Sequence, residues 1–249
     1  MTSAALPVQL VCLDMAGTTV HDDGAVLAAF HQALDTIGIP SGSPEHDTAV
    51  AHALDTMGQS KIEVFRTLTA GDEHRARAAN HAFEAAYDRS VDVDGVREIT
   101  GAADTIERLR TTGYHVVLTT GFSPATRDRI LRALGWHQLV PLALSPADAG
   151  RGRPHPDLLL TALLRTGTES VHRLAAVGDT TSDLLAAHRA GARIAAAVRT
   201  GSHTDTDFAT VPHTHILDSV TALPAVLDAA TGMLTTSDRP SHPDRRRRR

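Results

Sequence analysis

Residues 8–19 read VQLVCLDMAGTT. Six residues rich in β-formers run without a charge and then stop at an aspartate, a glycine and two threonines. A continuous apolar run that ends in a polar, glycine-bearing turn is the pattern of a strand buried on both faces of a parallel sheet. The pattern recurs at YHVVL (114–118) before TTGFS (119–123), and at LAAV (174–177) before GDTTSD (178–183). Helical stretches at 124–134 and 183–190 follow, with Gly135 and Gly191 at their C-terminal ends. A weaker strand is expected at VPLAL (140–144) and another at 194–198. Strands alternating with helices across residues 100–230 predict an α/β fold with a doubly wound parallel sheet.

Residues 24–98 read differently. Apolar residues fall at helical spacing: Val26, Phe30, Ala33, Leu34 and Ile37, then Ile62, Phe65 and Leu68, then Ala79, Phe83 and Tyr87. Breaks fall at 38–44, Gly58 and Gly71, and no strand intervenes. A helical insertion after the first strand would sit above the carboxyl ends of the strands, where such sheets bind ligands. The expected organisation is a core of 1–23 and 99–235, an insertion of 24–98, and a disordered basic tail of 236–249 that has no apolar anchor.

The chain has 249 residues, 42% hydrophobic and 21% charged, which is ordinary for a globular protein. One cysteine, Cys12, excludes an internal disulfide framework and a CxxC zinc site, and mid-strand it reads as a small buried hydrophobe. No apolar stretch reaches the roughly 18 residues of a membrane span, and no basic segment precedes the first apolar run, so a cytoplasmic protein without membrane attachment is expected. Without the five arginines at 245–249 the formal charge goes from −5 to −10. So acidic a body is not a nucleic-acid binder. His213 and His215 lack a third ligand and read as surface residues. Of the 24 basic residues, 23 are arginine; Lys61 is the sole lysine.

Three polar clusters each follow a predicted strand and should converge on one sheet edge: Asp14, Gly17, Thr18 and Thr19; Thr119, Thr120 and Gly121; Gly178, Asp179, Thr180, Ser182 and Asp183. Arg151 and Arg153 lie between the second and third. Two or three carboxylates without a Cys/His set favour a hard, oxygen-loving ion, with Mg2+ the natural candidate. Hydroxyls, glycine amides and an arginine suit a phosphoryl group. A carboxylate beside such a metal can attack phosphorus and form an aspartyl-phosphate. Any one cluster alone reads equally well as a capped strand-to-helix turn; three in this order do not.

DMAGTT, TTG, GRP and GDTTSD, in this order and spacing, resemble the four motifs of the haloacid dehalogenase superfamily, and the insertion resembles its helical cap. The resemblance covers the chain to about residue 230. It implies a Rossmann-like core, Asp14 as nucleophile, Thr120 as a phosphoryl hydrogen-bond donor, and Arg153 in the place of the superfamily's usual lysine. It also implies Asp14, the Ala16 carbonyl and Asp179 as Mg2+ ligands, with Asp183 supporting them. Gly17, Thr18, Gly121 and Met57 are then expected around the phosphoryl group and substrate. The partner is a small-molecule phosphonate or phosphate, and a homodimer through the cap is a further expectation.

Position 16 narrows the reading. Phosphatases of the superfamily usually have aspartate there, as the acid for the leaving alkoxide, and alanine has no proton to give. DMAGTT is similar to the first motif of the superfamily's phosphonatases, which hydrolyse phosphonoacetaldehyde. In these enzymes a cap lysine within an MGxxK-like segment forms an imine with the aldehyde and makes an electron sink for carbon–phosphorus cleavage. Here residues 57–61 read MGQSK. Arginine keeps the charge but forms no carbonyl imine, so a lone lysine here is what that chemistry requires. Two positions depart from the pattern: Val64 stands where phosphonatases have histidine, and Phe122 where they have tyrosine. The alternatives are a phosphomonoester phosphatase in which Lys61 anchors substrate charge, and a catalytically weak binding protein on the same fold.

Overall fold

The structure is a computed structural model and describes residues 8–236, with side chains to residue 230. The chain enters at β1 (Leu10–Asp14). Four helices follow without a strand: α1 (Ala25–Thr36), α2 (Pro44–Asp55), α3 (Lys61–Leu68) and α4 (Glu73–Asp94). The alternating region begins with α5 (Ala102–Thr111), β2 (His115–Thr119), α6 (Pro124–Ala133), β3 (Ala143–Leu144), α7 (Pro146–Ala149) and α8 (Asp157–Thr166). It closes with β4 (Leu174–Gly178), α9 (Thr181–Ala190), β5 (Ile194–Val198), α10 (Asp205–Phe208), β6 (His215–Leu217) and α11 (Leu223–Thr236). The expected basic tail of 236–249 lies outside the described residues, apart from Thr236 at the end of α11.

The six strands form one parallel sheet in the order β3-β2-β1-β4-β5-β6, a doubly wound α/β fold of the Rossmann-like type. β1 is fully buried because both its faces are covered. Val11 and Leu13 join the core shared with α5, α6 and the inserted helices, while Leu10 and Cys12 join the core beneath α8 and α9. That alternation is the period of a strand, and it explains why the segment reads as an uninterrupted apolar run. Burial pushes the Cys12 thiol above its ordinary pKa, which keeps it inert.

The expected strand at 140–144 shortens to Ala143–Leu144. Pro141 has no N–H to give to a ladder, and β2 instead donates from Leu118 to the Leu142 carbonyl at 3.1 Å. In the insertion, Val64 and Phe65 of α3 are buried, and Ile62 and Leu68 of the expected stripe are half-buried and pack against the same core. The helix faces Phe30 of α1 and Phe83 of α4 through Phe65, with ring centroids at 5.1 and 6.2 Å. Phe122, from the loop after β2, reaches the same group and lies 4.5 Å from the Tyr87 ring. Sheet and insertion thus share one apolar core.

Candidate active site

The register of the sheet builds the site. Asp14 pairs with Thr119 across β1 and β2, and Leu13 pairs with Val177 across β1 and β4. Asp14, Thr120 and Asp179 therefore leave the sheet side by side at its carboxyl edge. After β1 the chain turns tightly: the Met15 carbonyl accepts from Thr18, Thr19 and Val20 N–H at 3.2, 2.9 and 2.8 Å. Gly17 has φ 83° and packs against the Asp179 carboxylate so closely that a Cβ would overlap it. After β4, Thr180 caps α9 in a capping box with Asp183, which accepts from Thr180 N–H at 3.2 Å and from its hydroxyl at 2.5 Å.

Ligand oxygens of Asp14, Asp179 and Asp183 all lie within 4.8 Å of one another, and all three residues are buried. Arg153 is the one cation set among them. Its Nη2 is 2.6 Å from Asp14 Oδ1, and its Nη1 pairs with Asp183 Oδ1. Burial works against the guanidinium, but Asp14 and Asp183 outweigh it and hold it firmly charged. Burial raises the Asp14 carboxyl to about 7, with Arg153 pulling it down and Asp183 pushing it up. Burial and the Asp14 and Asp183 charges push Asp179 well above the usual carboxylate range, against a 2.7 Å hydrogen bond from Ser202 N–H. Three buried carboxylates against one arginine leave an excess of two negative charges when all are ionised. That excess, presented by oxygen donors alone, fits a divalent hard cation. Thr18 Oγ1 is buried close by in sequence with no hydrogen-bond partner.

The inserted segment 57–61 closes over this edge. Gly58 has φ 80°, and a Cβ there would sit 2.6 Å from Thr180 Oγ1. A Cβ on Gly121 would sit 2.5 Å from the Gln59 carbonyl oxygen. His203 ties the two sides together. It accepts from Thr181 N–H at Nδ1 (3.1 Å), which leaves Nε2–H to donate to the Leu54 carbonyl of α2 at 3.4 Å. Between the sides lies a cavity. Asp14, Ala16, Thr120, Gly121 and Asp179 line it from the sheet edge; Met57, Gly58 and Lys61 line it from the insertion. Arg153, Asp183 and Thr18 do not reach its wall; Arg153 stands behind the carboxylates rather than on the cavity surface.

Lys61 is the first residue of α3. Its Nζ lies 5.8 Å from the centroid of the Phe83 ring. Burial lowers its pKa to about 8; Arg153 acts in the same direction, and Asp22, Asp14 and Asp179 oppose it. The unfavourable start of a helix dipole also disfavours a cation there. Val64 and Phe122 are 3% and 4% exposed and packed in the apolar core, so neither supplies polarity near the lysine. His213 is exposed and His215 half-buried, each bonded locally, and neither joins a group of metal donors among the described residues.

Two contributors escaped the sequence reading. Ser202, in the loop after β5, lines the cavity and holds Asp179. Its signal was available: RTGS (199–202) follows an apolar strand just as the other three clusters do. Asp22 also lines the cavity, and nothing in its local sequence marks it.

The haloacid dehalogenase-like hydrolase family matches residues 8–191, and the chain belongs to it: this protein is a hydrolase of that superfamily. It is 28% identical over 233 residues to the probable phosphatase IndB of Dickeya dadantii, covering 93% of this chain and 97% of that one. It is 26% identical over 246 residues to a phosphonoacetaldehyde hydrolase of Nitratidesulfovibrio vulgaris, covering 90% and 84%. Among solved structures, a phosphonoacetaldehyde hydrolase-like protein from Oleispira antarctica superposes with a TM-score of 0.77 at 22% identity, covering 96% of this chain and 98% of that one. A hydrolase from Pseudomonas syringae superposes at 0.78 with 21% identity, covering 90% and 99%. Among the described residues, no helix is long and apolar enough to cross a membrane.

Proposed function

We propose that this chain is a Mg2+-dependent, phosphonatase-like hydrolase that cleaves the carbon–phosphorus bond of a small carbonyl phosphonate such as phosphonoacetaldehyde, with residues 24–98 serving as the cap over the site. One observation carries the reading: the sole lysine of the chain lines the same cavity as Asp14, while Ala16 leaves that cavity without an acid at the usual position. An alkoxide leaving group deprived of a positioned acid loses roughly 10²- to 10⁴-fold in rate. A carbanion leaving group needs an electron sink instead, and an iminium on Lys61 is one.

In this mechanism Lys61 condenses with the substrate carbonyl and water leaves. Asp14 then attacks phosphorus as the carbon–phosphorus bond breaks, and the bonding pair passes into the iminium to give an enamine. Water hydrolyses the aspartyl-phosphate to release phosphate. The enamine is protonated at carbon, and a second water frees the carbonyl product and the lysine. Thr120 and the amides following Asp14 hydrogen-bond the transferring phosphoryl oxygens, while Arg153 fixes the Asp14 carboxylate and adds positive charge behind it. Asp14, Asp179 and the Ala16 carbonyl would hold the metal, supported by Asp183. Mg2+, when bound, offsets the repulsion between the anionic attacker and the anionic phosphoryl group.

A second reading, a phosphomonoester phosphatase, is favoured by Val64 and Phe122, which leave the lysine without the polar neighbours that phosphonatases have. Phosphate release from phosphonoacetaldehyde measured against a panel of sugar and other phosphate monoesters separates the two. The proposal expects phosphonoacetaldehyde to be the better substrate by kcat/KM. Preference for any monoester by tenfold or more would establish the second reading instead.

A further inference from the structure

The cavity contains one carboxylate that phosphoryl transfer does not use. Asp22 lies eight residues beyond the nucleophile, past the tight turn after β1. That stretch is pinned: Val20 bridges both Ala16 and Glu98, and His21 N–H donates to the Arg97 carbonyl at 2.9 Å. Asp23 and Gly24 then take left-handed backbone conformations, with φ 47° and 79°, and turn the chain into α1. Asp22 Oδ1 accepts from Val26 N–H at 3.1 Å, which anchors the side chain on the first turn of α1. The Val26 and Gly24 N–H groups thus both draw on the carboxylate and fix it at the start of α1. The residue lines the cavity together with Lys61, and the two groups act on each other electrostatically.

We propose that Asp22 is the proton carrier for Lys61. This rests on the imine reading above. Through one bridging water the Asp22 carboxylate takes a proton from the Lys61 ammonium, and the neutral amine attacks the carbonyl carbon. The carboxylic acid so formed returns the proton to the carbinolamine oxygen, which departs as water when the carbon–nitrogen double bond closes. The sum is balanced: aldehyde plus lysine ammonium gives iminium plus water, and Asp22 ends as it began. The environment favours the exchange from both ends. Burial pushes the Asp22 carboxyl above its usual range, against the Val26 N–H and the Lys61 charge, and it lowers Lys61 to about 8. Donor and acceptor are thereby brought closer in proton affinity, which is what efficient transfer requires.

The test is the rate at which sodium cyanoborohydride fixes phosphonoacetaldehyde onto Lys61, followed by mass spectrometry, in wild type and in Asp22→Asn. Asparagine keeps an oxygen for Val26 N–H, so the start of α1 survives, but it carries no proton back and forth. Adduct formation and phosphonoacetaldehyde turnover should both slow by about 10²-fold, with an unchanged melting temperature. Asp22→Glu should recover part of the rate, as should formate added to Asp22→Ala. A wild-type adduct on Lys61 formed at the same rate, within threefold, in Asp22→Asn would overturn the role of Asp22 alone. No adduct on wild-type Lys61 would overturn both this role and the imine reading beneath it.

Discussion

The sheet-edge side of the cavity is charged and packed against charge, whereas the cap side is apolar around a single lysine. On the sheet side, Asp14, Asp179, Asp183 and Arg153 are each less than 9% exposed and lean on one another. On the cap side, Lys61 stands over Phe83, with Met57, Val64 and Phe65 buried about it. The contrast assigns different work. A cluster of fixed charge is suited to phosphorus chemistry on many substrates. A desolvated lysine is suited to one functional group, the carbonyl. Damage to the sheet side should abolish every activity; damage to the cap side should change which substrates are turned over.

The largest effect is expected at the nucleophile. Asp14→Asn is nearly isosteric and should lower turnover by at least about 10⁴-fold on phosphonates and phosphate esters alike. Its melting temperature should hold or rise, because a carboxylate that burial disfavours has been neutralised. Steady-state kinetics and calorimetry on one preparation check both halves. Next comes Lys61→Arg, which keeps a cation but cannot form an imine. Phosphonoacetaldehyde turnover should fall by about 10³-fold or more, the ordinary span of a lost covalent or acid–base group. The loss on para-nitrophenyl phosphate should be at least tenfold smaller. Equal losses on the two substrates would erase the distinction between the walls.

A smaller effect is expected from the metal, and it depends on pH. The folded Asp14 pKa of about 7 stands above the ordinary 3.8. A raised carboxyl contributes stability that is present below the ordinary value and lost as pH rises through the folded one. Asp179 is displaced in the same direction. The metal-free protein therefore loses this contribution between about pH 4 and pH 7, and a divalent cation compensates most where both carboxylates are ionised. Mg2+ at 100 times its dissociation constant adds about 2.7 kcal/mol, or about 5–10 °C in Tm for a chain of this size. The Tm increment at pH 8 should exceed that at pH 5.5, and scanning calorimetry with and without chelator reads it. Equal increments would mean the carboxylates are not the ligands. The smallest effect lies at the seam between the walls. In Gly121→Ala the new methyl meets the Gln59 and Gly58 carbonyl oxygens at 2.5 and 2.9 Å, so the cap must ride up. KM should rise about tenfold, roughly 1.4 kcal/mol of lost closure, while kcat falls less.

Much of this was legible without coordinates. Each motif on the sheet side follows its own strand, and parallel strands deliver their carboxyl ends to one edge. Asp14, Thr120, Asp179 and Asp183 could therefore be named from local patterns. Ser202 could have been named by the same rule, since β5 ends beside β4. Asp22 could not. It sits in a loop that carries no strand signal, and its place in the cavity depends on a bridge to Glu98, 76 residues away in the chain. The depth of burial along α3 has a similar cause. Periodicity names Ile62, Phe65 and Leu68 as the packed stripe, and the position of Phe30 and Phe83 decides that Phe65 is its most buried member.

The sheet, the order of its motifs and the presence of one lysine in a chain of arginines follow from the residues alone, because strands, turns and residue identity are written locally. It took the fold to bring Lys61 and Asp22 into one cavity with Asp14 and to set Arg153 behind the carboxylates. Those facts depend on how the insertion settles onto the sheet edge, through glycines with no side chain to keep the backbones apart and an aromatic cluster drawn from both sides. Burial made by that contact, and not the identity of the residues, is the main cause of the shifts in the Asp14 and Lys61 pKa values.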